Sequence, residues 1–190
     1  MIMPILAYGH PNLRKIAEDI DVNYPGLDVL LENMFETMYA SNGVGLAAPQ
    51  INKSIRLFVV DAEPFAEEMP ELADFKRVFF NAQIVEEEGK EWAFNEGCLS
   101  VPKINEDIVR KPKIKMNYYD KDWNYHEEEF EGIAARVIQH EYDHLEGVLF
   151  VDLVAPLRKT LLRGKLNDIS KGKVSVDYRM IFPSLKRARR

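Results

Sequence analysis

Residues 140–144 read His140-Glu141-Tyr142-Asp143-His144, and no other stretch restricts the fold of this chain so strongly. On an α-helix, positions i and i+4 share a face about one turn apart, so both imidazoles can aim at one point. At 100° per residue, Ile133 and Val137 fall on that same face. The pattern therefore predicts a helix from Ile133 to about Leu145, ended by Gly147, whose histidines rise from its buried side. A lone histidine on an apolar face is usually a satisfied core residue. Two that flank a glutamate read instead as a metal pair, with Glu141 close enough to touch a water bound there. Such a helix has to be enclosed by other layers.

The rest of the chain supplies those layers. Leu27, Leu30, Leu31, Met34, Phe35 and Met38 recur at helical spacing behind Pro25-Gly26, which predicts an amphipathic helix stopping around Ser41-Asn42-Gly43. Gly43-Val44-Gly45-Leu46-Ala47-Ala48-Pro49-Gln50 follows, small residues that suit backbone packed tightly against a neighbour. Ile55 to Val60 and Phe75 to Val85 read as strands, the second running into the acidic Glu86-Glu87-Glu88. Lys113 to Tyr119 and Tyr125 to Phe130 read as a hairpin around residues 120–124. A third helix is expected from Pro156 to about Ser170, and Val174 to Ile181 alternates like a strand. The expected class is α+β: antiparallel or mixed sheets around a central metal-binding helix, with an N-terminal helix and a C-terminal helix and strand.

With 190 residues, 46% of them hydrophobic and 29% charged, the chain suits a single catalytic domain with one sizeable core. We expect the core over about residues 4–153, the C-terminal helix and strand over 155–183, and a basic tail over 184–190. A net charge of -6 argues against a dedicated DNA binder. One cysteine, Cys98, rules out an intramolecular disulfide and fits a reducing compartment. The start of the chain lacks the pattern of a secretory signal. No window approaches the ~20 apolar residues of a membrane span, so no membrane partner is expected. The expected location is the cytoplasm, or an organelle interior for a form whose targeting segment has been removed.

Two histidines leave a catalytic metal site incomplete, since such sites commonly use three protein ligands plus water. His10, His126, many carboxylates and Cys98 are available. Cys98 stands out in Glu96-Gly97-Cys98-Leu99-Ser100, a small-residue setting that suits a shaped turn. Most free cysteines are small buried hydrophobes, and spacing alone does not choose between the two.

Three segments together resemble the peptide deformylase family. Gly43 to Gln50 is similar to its glycine-alanine-glutamine motif, Glu96 to Ser100 to its E-G-C-x-S motif, and Gln139 to Gly147 to its Q-H-E-x-D-H-L-x-G motif. Order and spacing agree, from about Pro4 through Leu153. The resemblance implies a hydrolase that removes the formyl group from N-terminal formyl-methionine of newly synthesised polypeptides. It implies that Cys98, His140 and His144 bind one divalent metal ion, Fe(II) by family habit, with Zn(II) or Ni(II) able to substitute. It makes Glu141 the base for a metal-bound water and then the acid for the leaving amine. Gln50's amide and the Leu99 N–H form the oxyanion hole, and Gly45 contacts the substrate backbone.

Elementary chemistry agrees with those implied roles. Formamide hydrolysis needs a strong nucleophile at neutral pH, which a metal and a nearby carboxylate supply. A close wall of Gly43, Val44 and Gly45 can fit formyl while leaving little space for acetyl. Val44, Phe94, Ile133 and Val137 are the candidates for the methionine pocket, with core packing as their alternative use. Family members carry an arginine where Arg110 stands, so Glu96 is expected to pair with it; a solvated surface pair is the other option. Asn105 occupies a position where many relatives have an arginine that helps hold the peptide backbone, which leaves grip on longer substrates in question. The tail from Ser184 to Arg190 is either solvated or a transient contact for ribosomal RNA. A zinc endopeptidase would need another ligand downstream, and no histidine follows His144. A structural metal site would be closed by four protein ligands, and three are convincing.

Overall fold

The computed structural model describes residues 1–183. A five-stranded antiparallel sheet forms its centre, in the order β2 (Gly45–Ala47), β3 (Leu57–Asp61), β4 (Lys76–Glu88), β7 (Lys113–Tyr119), β8 (Tyr125–Glu131). All five residues of β3 are buried. Its apolar run Leu57–Val60 needs cover on both faces, and a helix supplies it on each.

On one face lies α1 (Leu27–Ala40), whose buried Leu30, Met34, Thr37 and Met38 follow helical spacing. Leu30, Met34 and Met38 pack on Leu46, Leu57, Val59, Val78 and Phe80. The helix ends where Asn42 takes φ 55° and the Gly43 N–H bonds back to the Met38 carbonyl at 2.9 Å, which satisfies a carbonyl left free by the last turn. On the other face lies α2 (Gly132–Leu145), packed on Phe58, Val60, Phe79, Met116 and Phe130 through Ile133, Ala134, Val137 and Ile138. Gly147 stops this region with φ 69°, and its α-carbon lies so close that an added Cβ would meet the Arg14 carbonyl at 2.7 Å. Glycine is required there for two separate reasons.

A separate hairpin, β5 (Trp92–Cys98) and β6 (Val101–Arg110), carries the third core region. Val101, Ile104 and Ile108 on β6 pack with Phe150, Val151 and the buried Leu162, Leu166 and Ile169 of α3 (Pro156–Ser170). A short parallel pair, β1 (Ile5–Leu6) with β9 (Met180–Ile181), closes the molecule.

The helices and the β7–β8 hairpin match the sequence expectations closely. Two differences have physical causes. The strand expected up to Val85 continues through Glu88, because residues 86–88 pair with β7 while their exposed side chains keep solvent. The strand expected from Val174 to Ile181 shrinks to Met180–Ile181, because its partner β1 has only two residues. Residues 174–179 alternate in burial as a strap laid over the surface. The basic tail, residues 184–190, lies outside the described residues.

Candidate active site

The turn at the tip of the β5–β6 hairpin meets the C-terminal half of α2. Cys98 is the last residue of β5, and Leu99 and Ser100 make the turn to Val101. The Cys98 sulfur lies 3.3 Å from His144 Nε2. The ligand atoms of Cys98, His140 and His144 all lie within 4.8 Å of one another. Helical spacing on α2 thus brings the two histidines together, and the hairpin delivers the thiol.

The His140 ring is held for this purpose. His140 Nδ1 lies 2.9 Å from Glu96 Oε2, which leaves Nε2 for the shared point and is the usual way a ligand histidine is aimed. Burial and then the neighbouring His140 push the His144 pKa well down, which favours a neutral ring; His140 is carried well up in spite of burial by its bonds to Cys98 and Glu96, so a cation there would have to displace its proton. Among the described residues, His144 Nδ1 has no hydrogen-bond partner, and neither has the buried Oε2 of Glu141. A thiol and two imidazoles converging on one point are a donor set that fits a divalent cation.

Glu96 organises the support. It accepts from Arg110 Nε at 2.8 Å and from Arg110 Nη2 at 3.1 Å. Arg136, which is fully buried on α2, adds a bond at 3.0 Å. Arg110 reaches on to Asp143 at 2.8 Å. Burial works against the charge on Glu96, but the hydrogen bonds from His140 and Arg110 outweigh it and lower its pKa to about 2. The Glu96–Arg110 pair is therefore a buried brace, not a surface ion pair. Arg136 gave no signal in the sequence beyond sitting on the apolar face of a helix, where a charge needs a partner.

Glu141 is buried, and burial raises its carboxyl to about 7. An added Cβ on Gly45 would overlap that carboxylate, so a glycine is the only residue that lets β2 lie against it. Gln50 is buried in the tight turn after β2. Its Oε1 accepts from the Ala47 N–H at 2.8 Å, which turns Nε2 towards Cys98 Sγ at 3.6 Å and Ser100 Oγ at 3.3 Å. A donor is thus fixed beside the cysteine by backbone.

A cavity of about 540 Å³ opens over these groups. Gly43, Val44, Gly45, Phe94 and Val137 line it, together with Gln50, Cys98, Leu99, His140 and Glu141. Ile133, expected in the methionine pocket, packs in the core beneath the sheet instead and is not among the lining residues. It lies one helical turn before the lining residue Val137. Phe65 lines the cavity from a short 3₁₀ turn, Glu63–Phe65, that has no periodic signal. Asn105 lines it too, with its amide over the Gly97 α-carbon.

A buried carboxylate beside three side chains that could hold a cation, with an amide N–H group near the thiol, is an arrangement that could serve hydrolysis. The chain belongs to the polypeptide deformylase family, hydrolases that act on N-terminal formyl-methionine: residues 2–160 match the family described as Polypeptide deformylase. A peptide deformylase of Christiangramia forsetii is 54% identical over the full length of both chains. A crystal structure of a peptide deformylase from Legionella pneumophila is 38% identical, covers 91% of this chain and 98% of its own, and superposes with a TM-score of 0.78. A Met-Ala-Ser-bound peptide deformylase from Acinetobacter baumannii is 34% identical, covers 81% of this chain and 99% of its own, and gives 0.73. No helix among the described residues is long and apolar enough to cross a membrane.

Proposed function

We propose that this chain is a metal-dependent enzyme in which Glu141 moves the protons of formyl-methionine hydrolysis, working as one catalytic domain on nascent polypeptides in the cytoplasm. Cys98, His140 and His144 would hold one divalent ion, Fe(II) foremost because a thiolate softens the site, with Zn(II) or Ni(II) as substitutes. When bound, the ion supplies a Lewis acid that makes water nucleophilic near neutral pH. The observation that carries this reading is the convergence of three ligand atoms within 4.8 Å beside the buried, unpartnered Glu141.

This chain's own residues do the rest. Glu141 takes the proton of the attacking water and returns it to the leaving amine, a dual role that a carboxyl near neutrality suits. As the carbon becomes tetrahedral, the Gln50 amide and the Leu99 N–H donate to its oxygen, each worth about 2.7–4 kcal/mol in such a role. Gly43, Val44 and Gly45 wall the formyl carbon, and Val44, Phe94, Val137 and Phe65 offer apolar surface to the methionine side chain. Asn105 stands on the peptide side of the cavity with a shorter reach than arginine. The basic tail remains a proposed transient contact for ribosomal RNA.

The test is anaerobic purification with metal analysis, followed by formate release from formyl-Met-Ala-Ser. One metal per chain with formate release is expected, and acetyl-Met-Ala-Ser should be refused. A metal-free protein that still releases formate would overturn the metal role.

A further inference from the structure

The C-terminal strap crosses the mouth of the cavity, and one of its side chains reaches the catalytic turn. Ser175, Val176, Asp177 and Tyr178 all line the cavity. The Tyr178 hydroxyl donates to the Leu99 carbonyl at 2.8 Å across 79 residues of chain. Its ring is half-buried against the cluster that contains Met38 and Leu46. A carbonyl oxygen only accepts, so the hydroxyl is the donor in the bond to Leu99.

The strap is itself fixed. The Ile5 N–H bonds to the Arg179 carbonyl and the Ala7 N–H to the Ile181 carbonyl, both at 2.9 Å. One residue further, the Tyr8 N–H bonds to the Ser100 carbonyl at 2.8 Å. Two successive carbonyls of the Leu99-Ser100 turn are thereby held from outside the hairpin, one by each end of the described chain. The Leu99 carbonyl lies across the Leu99 α-carbon from the Leu99 N–H, so a bond to it fixes Leu99 from its C-terminal side, while pairing of Cys98 with Val101 fixes it from the other. From below, Leu99 rests on Gly43, where an added Cβ would meet Leu99 Cδ1 at 2.9 Å.

We propose that Tyr178 is a positioning residue for catalysis: its bond to the Leu99 carbonyl locks the turn so that the Leu99 N–H points at the developing oxyanion. This rests on the reading of Leu99 as an oxyanion donor. A donor aimed before the reaction costs no reorganisation when the charge appears. A turn free to rock would present the N–H only part of the time, which is a loss in the transition state more than in the bound substrate.

Tyr178→Phe removes one oxygen and keeps the ring, so the packing stays. In metal-loaded protein, kcat for formyl-Met-Ala-Ser should fall about threefold to tenfold, the range of one hydrogen bond, with KM nearly unchanged. Amide hydrogen exchange at Leu99 and Ser100 should quicken, while exchange in α1 and β3 stays as in the parent. An unchanged kcat, an unchanged exchange rate at the turn, or a fall in kcat that merely tracks lost metal would each overturn the proposal. The exchange measurement needs no turnover, so it still tests the lock if the parent itself releases no formate and the functional reading fails.

Discussion

Two histidine–carboxylate pairs sit in opposite parts of this molecule and do different work. At the candidate active site, His140 bonds Glu96 at 2.9 Å, with side chains only 11% and 4% exposed. In the β7–β8 hairpin, His126 bonds Asp120 at 2.7 Å, with 38% and 27% exposed. Both carboxylates are lowered to about 2. The causes differ. Glu96 is charged in spite of burial because His140 and two guanidiniums surround it. Asp120 also resists some burial, but its other partners are His126 and the turn itself, the Asp122 and Asn124 N–H groups at 2.9 Å each. One pair aims a ring at a ligand cluster; the other closes a turn and stacks its ring on Tyr118 at 5.1 Å. A depressed carboxylate therefore does not by itself mark a site. What separates the two is where the second ring nitrogen points.

The comparison breaks most directly at the level of chemistry. Glu141→Ala should retain the fold and much of the metal while formate release falls by at least about 10²–10⁴-fold, the contribution of a general acid–base group. His126→Ala should leave formate release unchanged. Comparable losses in both variants would mean that the hairpin pair also serves the reaction.

Next in size is the donor opposite Glu141. Gln50→Ala should lower kcat about 10²–10³-fold, with KM moving far less, because an oxyanion donor acts in the transition state. Steady-state kinetics on formyl-Met-Ala-Ser decides this. A raised KM with an intact kcat would make Gln50 a substrate-binding residue.

Glu96→Gln keeps the shape of the brace and removes its charge. Arg136 would then be buried without a counter-ion, and His140 would lose the partner that aims it. Metal affinity should weaken about tenfold to a hundredfold. Breaking a buried pair of this type costs about 3–5 kcal/mol, which denaturant unfolding would read. If the metal is retained and stability is unchanged, the brace is dispensable and the contrast with Asp120 disappears.

The site was more legible in the sequence than the fold that delivers it. His140 and His144 declare themselves because helix geometry alone brings i and i+4 together. Cys98 did not, since its approach to His144 depends on the β5–β6 hairpin, and that hairpin carries no turn signal of the Asn-Gly kind. Its turn is Leu99-Ser100, held by Tyr178, Tyr8 and Gln50 from elsewhere in the chain. For Cys98 the family motif supplied what spacing lacked. Ile133 marks the limit of periodicity, which fixes direction around the helix axis and is silent about how far along it a cavity extends. Arg136 and Phe65 were invisible because both depend on tertiary neighbours, two carbonyls and Glu96 for the first and the cavity wall for the second. The strap over 174–179 looked like a strand because alternation in burial needs only one covered face, not a hydrogen-bonded neighbour.

The smallest effect belongs to the hairpin pair, and pH sharpens it. Asp120 has a folded pKa below its unfolded value of about 3.9. A depressed carboxylate contributes stability that is fully present above the unfolded value and is lost as pH falls through the folded one. Asp120→Asn should therefore lower Tm at pH 6, by the equivalent of less than about 1 kcal/mol because solvent reaches both partners. Between pH 4 and pH 2 the deficit against the parent should shrink, since the parent's own Asp120 is then taking up its proton. Asparagine keeps one carbonyl oxygen for the turn's N–H groups, so some of the bonding survives in the variant and limits the difference further. Glu96→Gln, titrated over the same range, should show a deficit several times larger and closing in the same direction. A deficit for Asp120→Asn that is as large as that of Glu96→Gln, or that stays constant down to pH 2, would show that the exposed pair is held by something other than its charge.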